Sequence, residues 1–200
     1  MGRTSDARER LIGSAIELIH ARSYADVGVN ELCEHAGVKK GNFYHFFPSK
    51  RDLIVAALDE ISGLFAREVY EPAFAPDLPP LERIQRLFQL LYEFHASLSQ
   101  TAGRMEGCHA GNLAMELSTQ DEIIRLKVRS IFEDGVSLFE GALQDAVDSG
   151  DLPKIDISLA THALQAYLEG VLLLAKTWND PAMIRRLSQS ALLLARTGAP

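Results

Sequence analysis

With two cysteines in 200 residues, Cys33 and Cys108, the chain has neither a disulfide framework nor a zinc-ligand spacing. Any role they have is expected from free thiols in a reducing compartment. Uninterrupted apolar runs are short: Val171 to Ala175 is typical, whereas a bilayer span needs roughly 20 residues. The N-terminus also lacks the apolar stretch of a secretory signal. A cytoplasmic protein with no membrane partner is expected. There is no alternating strand pattern of useful length, no phosphate-binding glycine loop, no Ser/His/Asp arrangement and no facing carboxylate pair. Hence no enzyme activity, catalytic residue, cofactor or metal is expected. Basic residues are few, 20 Lys+Arg against 27 Asp+Glu for a net charge of −7, which taken alone argues against a nucleic-acid partner.

The distribution of charge changes that argument. Residues 1–55 hold 8 Lys+Arg and 7 Asp+Glu, so the acidity lies almost wholly downstream. With 47% hydrophobic residues there is material for one or two cored domains. The apolar periodicity is helical throughout. Leu11, Ile12, Ala15, Ile16 and Ile19 predict a helix over 6–22, and Asn30 is expected to cap a short helix containing Leu32 and Cys33. Gly37 permits a tight turn before a helix from Lys40 to Phe46, and Ser49 with Asp52 opens a longer one from Lys50 to about Tyr70. Four prolines between Glu71 and Pro80 predict a surface connection. Further helices are expected over 80–99, 108–118, 121–148, 156–178 and 181–197, with starts at Thr119, Asp156 and Asp180 and stops at Gly103, Gly107 and Gly150. The last two are apolar on more than one face, as helices are when they pair with another chain.

A short helix, a glycine turn and a second short helix make a helix-turn-helix, whose second helix enters the major groove of DNA. Phe43 and Phe47 pack inward with Val38, leaving Lys39, Lys40, Asn42 and Tyr44 on a polar face suited to phosphates and base edges. Gly41 allows close approach, and Lys50 lies where an ammonium and free helix N–H groups would meet one phosphate. The stretch Asn30 to Leu53, NELCEHAGVKKGNFYHFFPSKRDL, resembles the DNA-binding signature of the TetR family of transcriptional regulators. That resemblance implies an all-α fold of about nine helices. A three-helix DNA-binding domain over 1–50 would precede a helical ligand-sensing and dimerisation domain over 51–200. It implies a homodimer formed through roughly 156–197 and bound to double-stranded operator DNA. The DNA-binding set it implies is Val29, Asn30, Lys39, Lys40, Gly41, Asn42, Tyr44, His45 and Lys50. Phe46 departs from the pattern, since many members carry a phosphate-contacting histidine there.

A second stretch, Gly107 to Ser118, GCHAGNLAMELS, puts Cys108 after a glycine break in the first turn of a helix, where the dipole favours a thiolate. It resembles the motif of a TetR subgroup, some of whose members respond to electrophiles or oxidants through this cysteine. By that resemblance Lys176, in AKTWNDP, would approach the thiol and stabilise its anion. The effector set is then Cys108 and Lys176, with Phe88, Tyr92, His95, Phe132, Tyr167 and Trp178 as pocket candidates. The alternative is a repressor that binds a small molecule non-covalently, with Cys108 filling space in a core.

Overall fold

The computed structural model describes residues 2–196, with side chains from Asp6 onward. Among the described residues the regular structure is helical: α1 (Gly2–Ala21), α2 (Val29–His35), α3 (Lys40–Phe46), α4 (Lys50–Phe65), a π-helical turn (Ala66–Tyr70), α5 (Glu71–Ala73), α6 (Pro80–Ala102), α7 (His109–Leu117), α8 (Glu122–Asp148), α9 (Ile157–Trp178) and α10 (Ala182–Arg196). Because α4, the π turn and α5 follow without a break, these segments form nine rods, as expected of the all-α fold.

Several ends differ from expectation for local reasons. The α2 helix begins one residue before Asn30, with Gly28 as N-cap, so Asn30 lies in the first turn and caps nothing. At α8 the cap is Asp121, not Thr119: its Oδ1 accepts from Ile123 N at 3.0 Å and Ile124 N at 3.1 Å. Asp156 caps α9 as expected, accepting from Leu159 N at 3.0 Å. The prolines after Tyr70 do not end the helix at once. Pro72 sits in the first turn of α5, and the wider π turn just before it is where the missing N–H is accommodated. Residue 197, the expected end of the last helix, lies outside the described residues.

The chain divides into two compact units, and the boundary is not at residue 50. One unit holds the chain up to Leu64 together with His109–Val128; the other holds Phe65–Cys108 and the chain from Arg129 onward. In the first unit, Leu11, Ile12, Ala15, Leu32, Phe43, Phe47, Leu53 and Ile54 are buried. Leu11, Ile12 and Ala15 are among the residues the 3.6 period selected, whereas Ile16 is half-buried. Ser14 Oγ donates to Leu32 O at 3.1 Å, tying α1 to α2. Arg51 and Lys127 reach Asp121 at 3.6 Å and Asp59 at 2.5 Å, so α8 and its cap are fastened to α4 at both ends of the contact.

The second unit packs α6, α9 and α10 around Ile84, Leu87, Phe88, Leu164, Leu168, Ile184 and Ala191. Arg83 braces the Phe74–Pro79 connection, donating to Leu78 O at 3.0 Å and Pro76 O at 3.2 Å while pairing with Asp145 at 2.6 Å. By length and composition α9 could also cross a bilayer, but a third of that apolar window is core. Much of the rest is an exposed face: Leu159, Leu173, Leu174 and Trp178 on α9, with Leu193 on α10.

Candidate DNA interface and thiol site

The turn between α2 and α3 is closed by backbone bonds, Gly37 N to Glu34 O at 3.1 Å and Val38 N to Cys33 O at 2.8 Å, with Gly37 at a φ of 63°. Phe43 and Phe47 face the core with Val38, which fixes the rotation of α3. Lys39, Lys40, Gly41, Asn42, Tyr44 and His45 are consequently exposed. Neither Lys39 nor Lys40 has a carboxylate within ion-pair distance among the described residues. A Cβ on Gly41 would meet nothing of this chain within 4 Å. Tyr44 is 53% exposed, its ring steadied edge-on against Phe43 at 5.1 Å. Val29 is half-buried and Asn30 exposed at the start of α2, and His45 stacks edge-on with the half-buried Phe46.

Lys50 is engaged differently from expectation. Its Nζ donates to Tyr24 O at 2.7 Å and Val27 O at 3.0 Å and lies 3.8 Å from the Tyr24 ring centroid. An ammonium has three donors, so one remains for a phosphate. Burial holds its pKa below the ordinary lysine value, with the Glu116 carboxylate opposing that shift. The same loop is gripped from its other side by Glu116, whose two oxygens accept from Tyr24 N and Ala25 N, both at 2.8 Å. Arg22 adds a bond to Asp26 O at 3.0 Å and an ion pair with Glu31. The segment leading into α2 thus has its carbonyls held by α4 and its N–H groups by α7. Glu116 was not among the expected site residues; a carboxylate four places after Asn112 on a short helix carries no signal of its distant partners.

Cys33 is a core residue, and burial raises its thiol's pKa. Cys108 lies immediately before α7 rather than in its first turn, half-buried against the core of the second unit. Burial pushes the carboxyl of Glu169, on α9, up to about 7, and the nearby Cys108 side chain draws it partly back. Tyr70, at the end of the π turn, is close enough for Cys108 and Glu169 to act on its hydroxyl; with burial as the largest cause they hold it as a neutral phenol. Neither Tyr70 nor Glu169 was expected. Glu169 did carry a signal: it is the one carboxylate in α9.

Lys176 approaches this site along its aliphatic chain. A Cβ on Gly107 would stand 3.0 Å from Lys176 Cδ and 3.4 Å from its Cβ, and Gly107 adopts a φ of 78°. Gly107→Ala therefore combines a left-handed backbone with a crowded side chain. We expect it to lower stability by about 1–2 kcal/mol, read as a fall in the thermal midpoint of a few degrees.

The aromatic candidates lie in several settings. Phe88 is fully buried and packs with Tyr167 at 6.1 Å, and Tyr167 donates to Leu187 O at 2.8 Å, so both serve the contact with α10. Tyr92 lies under Arg185 at 4.7 Å, Phe132 is half-buried, and Trp178 is 62% exposed at the end of α9 rather than lining a pocket. His95 is 2% exposed, with its ring 6.1 Å from Phe65 and its Nε2 without a partner. Burial pushes it down to about 4, leaving a neutral imidazole. Phe65 lies 6.3 Å from Tyr70, which places one aromatic ring between the His95 imidazole and the phenol beside Cys108.

A helix-turn-helix whose second helix presents an exposed cationic and aromatic face defines a DNA-binding regulator. Known proteins specify the class further. The family described as "Bacterial regulatory proteins, tetR family" matches residues 11–57, and "Tetracyclin repressor-like, C-terminal domain" matches residues 80–191. The transcriptional regulator AcuR of Cereibacter sphaeroides is 29% identical over 171 residues, covering 85% of this chain and 76% of AcuR. The HTH-type transcriptional repressor NemR of Escherichia coli is 27% identical over 147 residues, covering 72% of this chain and 69% of NemR. A regulatory protein TetR from Rhodobacter sphaeroides has a similar structure, with a TM-score of 0.82 at 26% identity over 92% of this chain and 96% of that one. The chain belongs to the TetR family: it is a DNA-binding transcriptional regulator.

Proposed function

We propose that this regulator is a homodimeric repressor that leaves its operator when a reactive electrophile or oxidant modifies Cys108. The observation that carries the sensing half is the placement of Cys108, half-buried one residue before α7 and next to Gly107, where a Cβ would stand 3.0 Å from Lys176 Cδ. The helix it precedes supplies Glu116, which holds the loop leading into α2. A change of volume or charge at the thiol would thereby reach the recognition helix through a single short helix. The repressor sense is supported by NemR, which is named a repressor.

Pairing with a second copy is supported by the exposed apolar face of α9 and α10. Leu159, Leu173, Leu174, Trp178 and Leu193 form a patch of the kind that monomers seldom leave in water. A dimer would set two α3 helices in successive major grooves, roughly 34–36 Å apart, on a palindromic site.

The test is an electrophoretic shift on DNA from the chain's own upstream region, with p-benzoquinone or N-ethylmaleimide as effector. Cys108→Ser is expected to bind as wild type does and to resist release at electrophile concentrations that free the wild type completely, while Cys33→Ser behaves as wild type. Equal release of the Cys108 variant and wild type would refute the covalent reading and favour a non-covalent effector with Cys108 as packing.

A further inference from the structure

Behind the operator-reading face, the first unit holds a chain of polar contacts that ties α2 to α1. Ser14, only 3% exposed on α1, meets His35, the last residue of α2, with Ser14 Oγ 3.0 Å from His35 Nδ1. The other ring nitrogen, Nε2, stands 3.6 Å from a Glu17 carboxylate oxygen, about one turn further along α1. Ser14 Oγ is also 3.1 Å from Leu32 O, a carbonyl that already accepts from Ala36 N. The contacts thus run from Leu32 through Ser14 and His35 to Glu17.

The supply of hydrogens decides the charge of the ring. A serine hydroxyl has one hydrogen, whereas a carbonyl and a carboxylate only accept. With the Ser14 hydrogen on Leu32 O, His35 Nδ1 must donate to Ser14 Oγ, and a neutral ring of that tautomer turns a bare Nε2 lone pair toward Glu17. In the other neutral tautomer Nε2 carries the hydrogen, Nδ1 accepts from Ser14, and the buried hydroxyl gives up Leu32 O. Each neutral form therefore loses one of the contacts, and the imidazolium, which donates at both nitrogens, keeps them all. The position favours the same charge, because His35 closes α2 where the helix dipole attracts a cation. Among the described residues Glu17 is the one carboxylate within ion-pair distance of His35. On α2 itself Glu34 is adjacent and Glu31, one turn back, is paired with Arg22. From α3 the Lys40 ammonium, close enough to act on Cys33, opposes the added charge.

We propose that His35 is a positioning residue for operator binding, acting as an imidazolium that fixes α2 on α1, so that operator binding and protonation of His35 favour one another. The turn that carries α3 is bonded to the residues just before His35, Gly37 N to Glu34 O and Val38 N to Cys33 O. Loss of the ring proton loosens α2 on α1 and with it the aim of Lys39, Lys40 and Tyr44. Because DNA selects the braced arrangement and the proton completes the brace, each raises affinity for the other by the same factor. Histidines lose their charge between pH 5 and 8, so the brace is complete at the acid end of that range and affinity falls as pH rises.

Operator affinity is measured by fluorescence anisotropy at pH 6.0 and 8.0 and constant ionic strength, with the full chain and DNA from its own upstream region. His45 on α3 also gains charge on acidification, so wild type is compared with variants that keep it. Between the two pH values wild type should lose about threefold more affinity per half-site than His35→Gln, the scale of an exposed ion pair, and about tenfold more on a two-half-site operator. Glu17→Gln should show the same flattened profile, and the double variant should be no flatter than either, because the two side chains act as a pair. A His35→Gln protein weaker by the same factor at both pH values has lost only packing, and that result would overturn the proposal. So would the full wild-type pH effect retained in Glu17→Gln. If the variants do not fold, ring nitrogen–proton correlation spectra of the wild type decide: adding operator at pH 7 should raise the imidazolium fraction of His35, and an unchanged or lowered fraction would refute it.

Discussion

Lys40→Ala combined with Tyr44→Ala should abolish sequence-specific operator binding while leaving the fold unchanged. Both side chains project from the exposed face of α3, whose rotation is set by the buried Phe43 and Phe47 on its other side. Tyr44 is more than half exposed and its ring contributes only an edge contact to Phe43, so truncation should cost well under 1 kcal/mol in stability. At the DNA the cost is larger. A well-aimed base-edge contact carries about 1–3 kcal/mol of discrimination, and in a dimer each loss occurs twice. We expect specific affinity to fall by at least about 100-fold. A lysine that reaches a phosphate would also lower the salt slope by about 1 per site. Isothermal binding or fluorescence anisotropy at several salt concentrations measures both quantities, and circular dichroism checks the fold. Unchanged affinity with an unchanged slope would show that α3 does not read the operator.

That face could be read from sequence because it follows from periodicity alone. Phe43, Phe47 and Val38 share one side of a 3.6-residue turn, so Lys40 and Tyr44 fall on the other. The capped starts at Ser49 and Asp156 were similarly legible, since a side-chain oxygen and an N–H three residues later are neighbours in the chain. Asn30 and Thr119 show the limit of the same rule: Gly28 and Asp121 compete within two residues, and the helix takes the cap that its packing allows.

The thiol site was legible only in part. Cys108 and Lys176 were singled out through a motif, and the Lys176 chain packs against Gly107, the residue before Cys108. Glu169 and Tyr70 reach Cys108 from residues 61 and 38 positions away, and no local pattern encodes such an approach. Aromatic spacing says less for the complementary reason. Phe88, Tyr167 and Trp178 recur at helical intervals whether they line a pocket, fill a core or lie on an open face; Phe88 is buried, Tyr167 half-buried and Trp178 exposed.

Removing the grip of α7 on the loop before α2 should have an effect nearly as large as removing the recognition face. Glu116 presents two oxygens to two consecutive N–H groups, Tyr24 and Ala25, at 2.8 Å each. Hydrogen bonds to a charged acceptor are worth about 1.5–3 kcal/mol, and Glu116→Ala would leave both donors to find water on a half-buried loop. We expect a loss of about 3 kcal/mol, which for a chain of this size lowers the thermal midpoint by roughly 6–12 °C. Lys50 would still hold the carbonyls of Tyr24 and Val27, so the loop should loosen rather than unfold, and α2 and α3 should remain helical. Operator affinity is then expected to fall by about tenfold although Glu116 contacts no DNA, because Val29 and Asn30 follow directly from the released segment. Glu116→Gln, which keeps one acceptor oxygen and the shape of the side chain, should fall between wild type and alanine in both measurements. Met115→Ala is the control: that neighbouring side chain is 88% exposed, and its loss should move neither quantity beyond about 0.5 kcal/mol. A Glu116→Ala protein with wild-type melting and wild-type affinity would show that α7 does not position the DNA-reading helices, and would remove the physical route by which Cys108 is proposed to act on them.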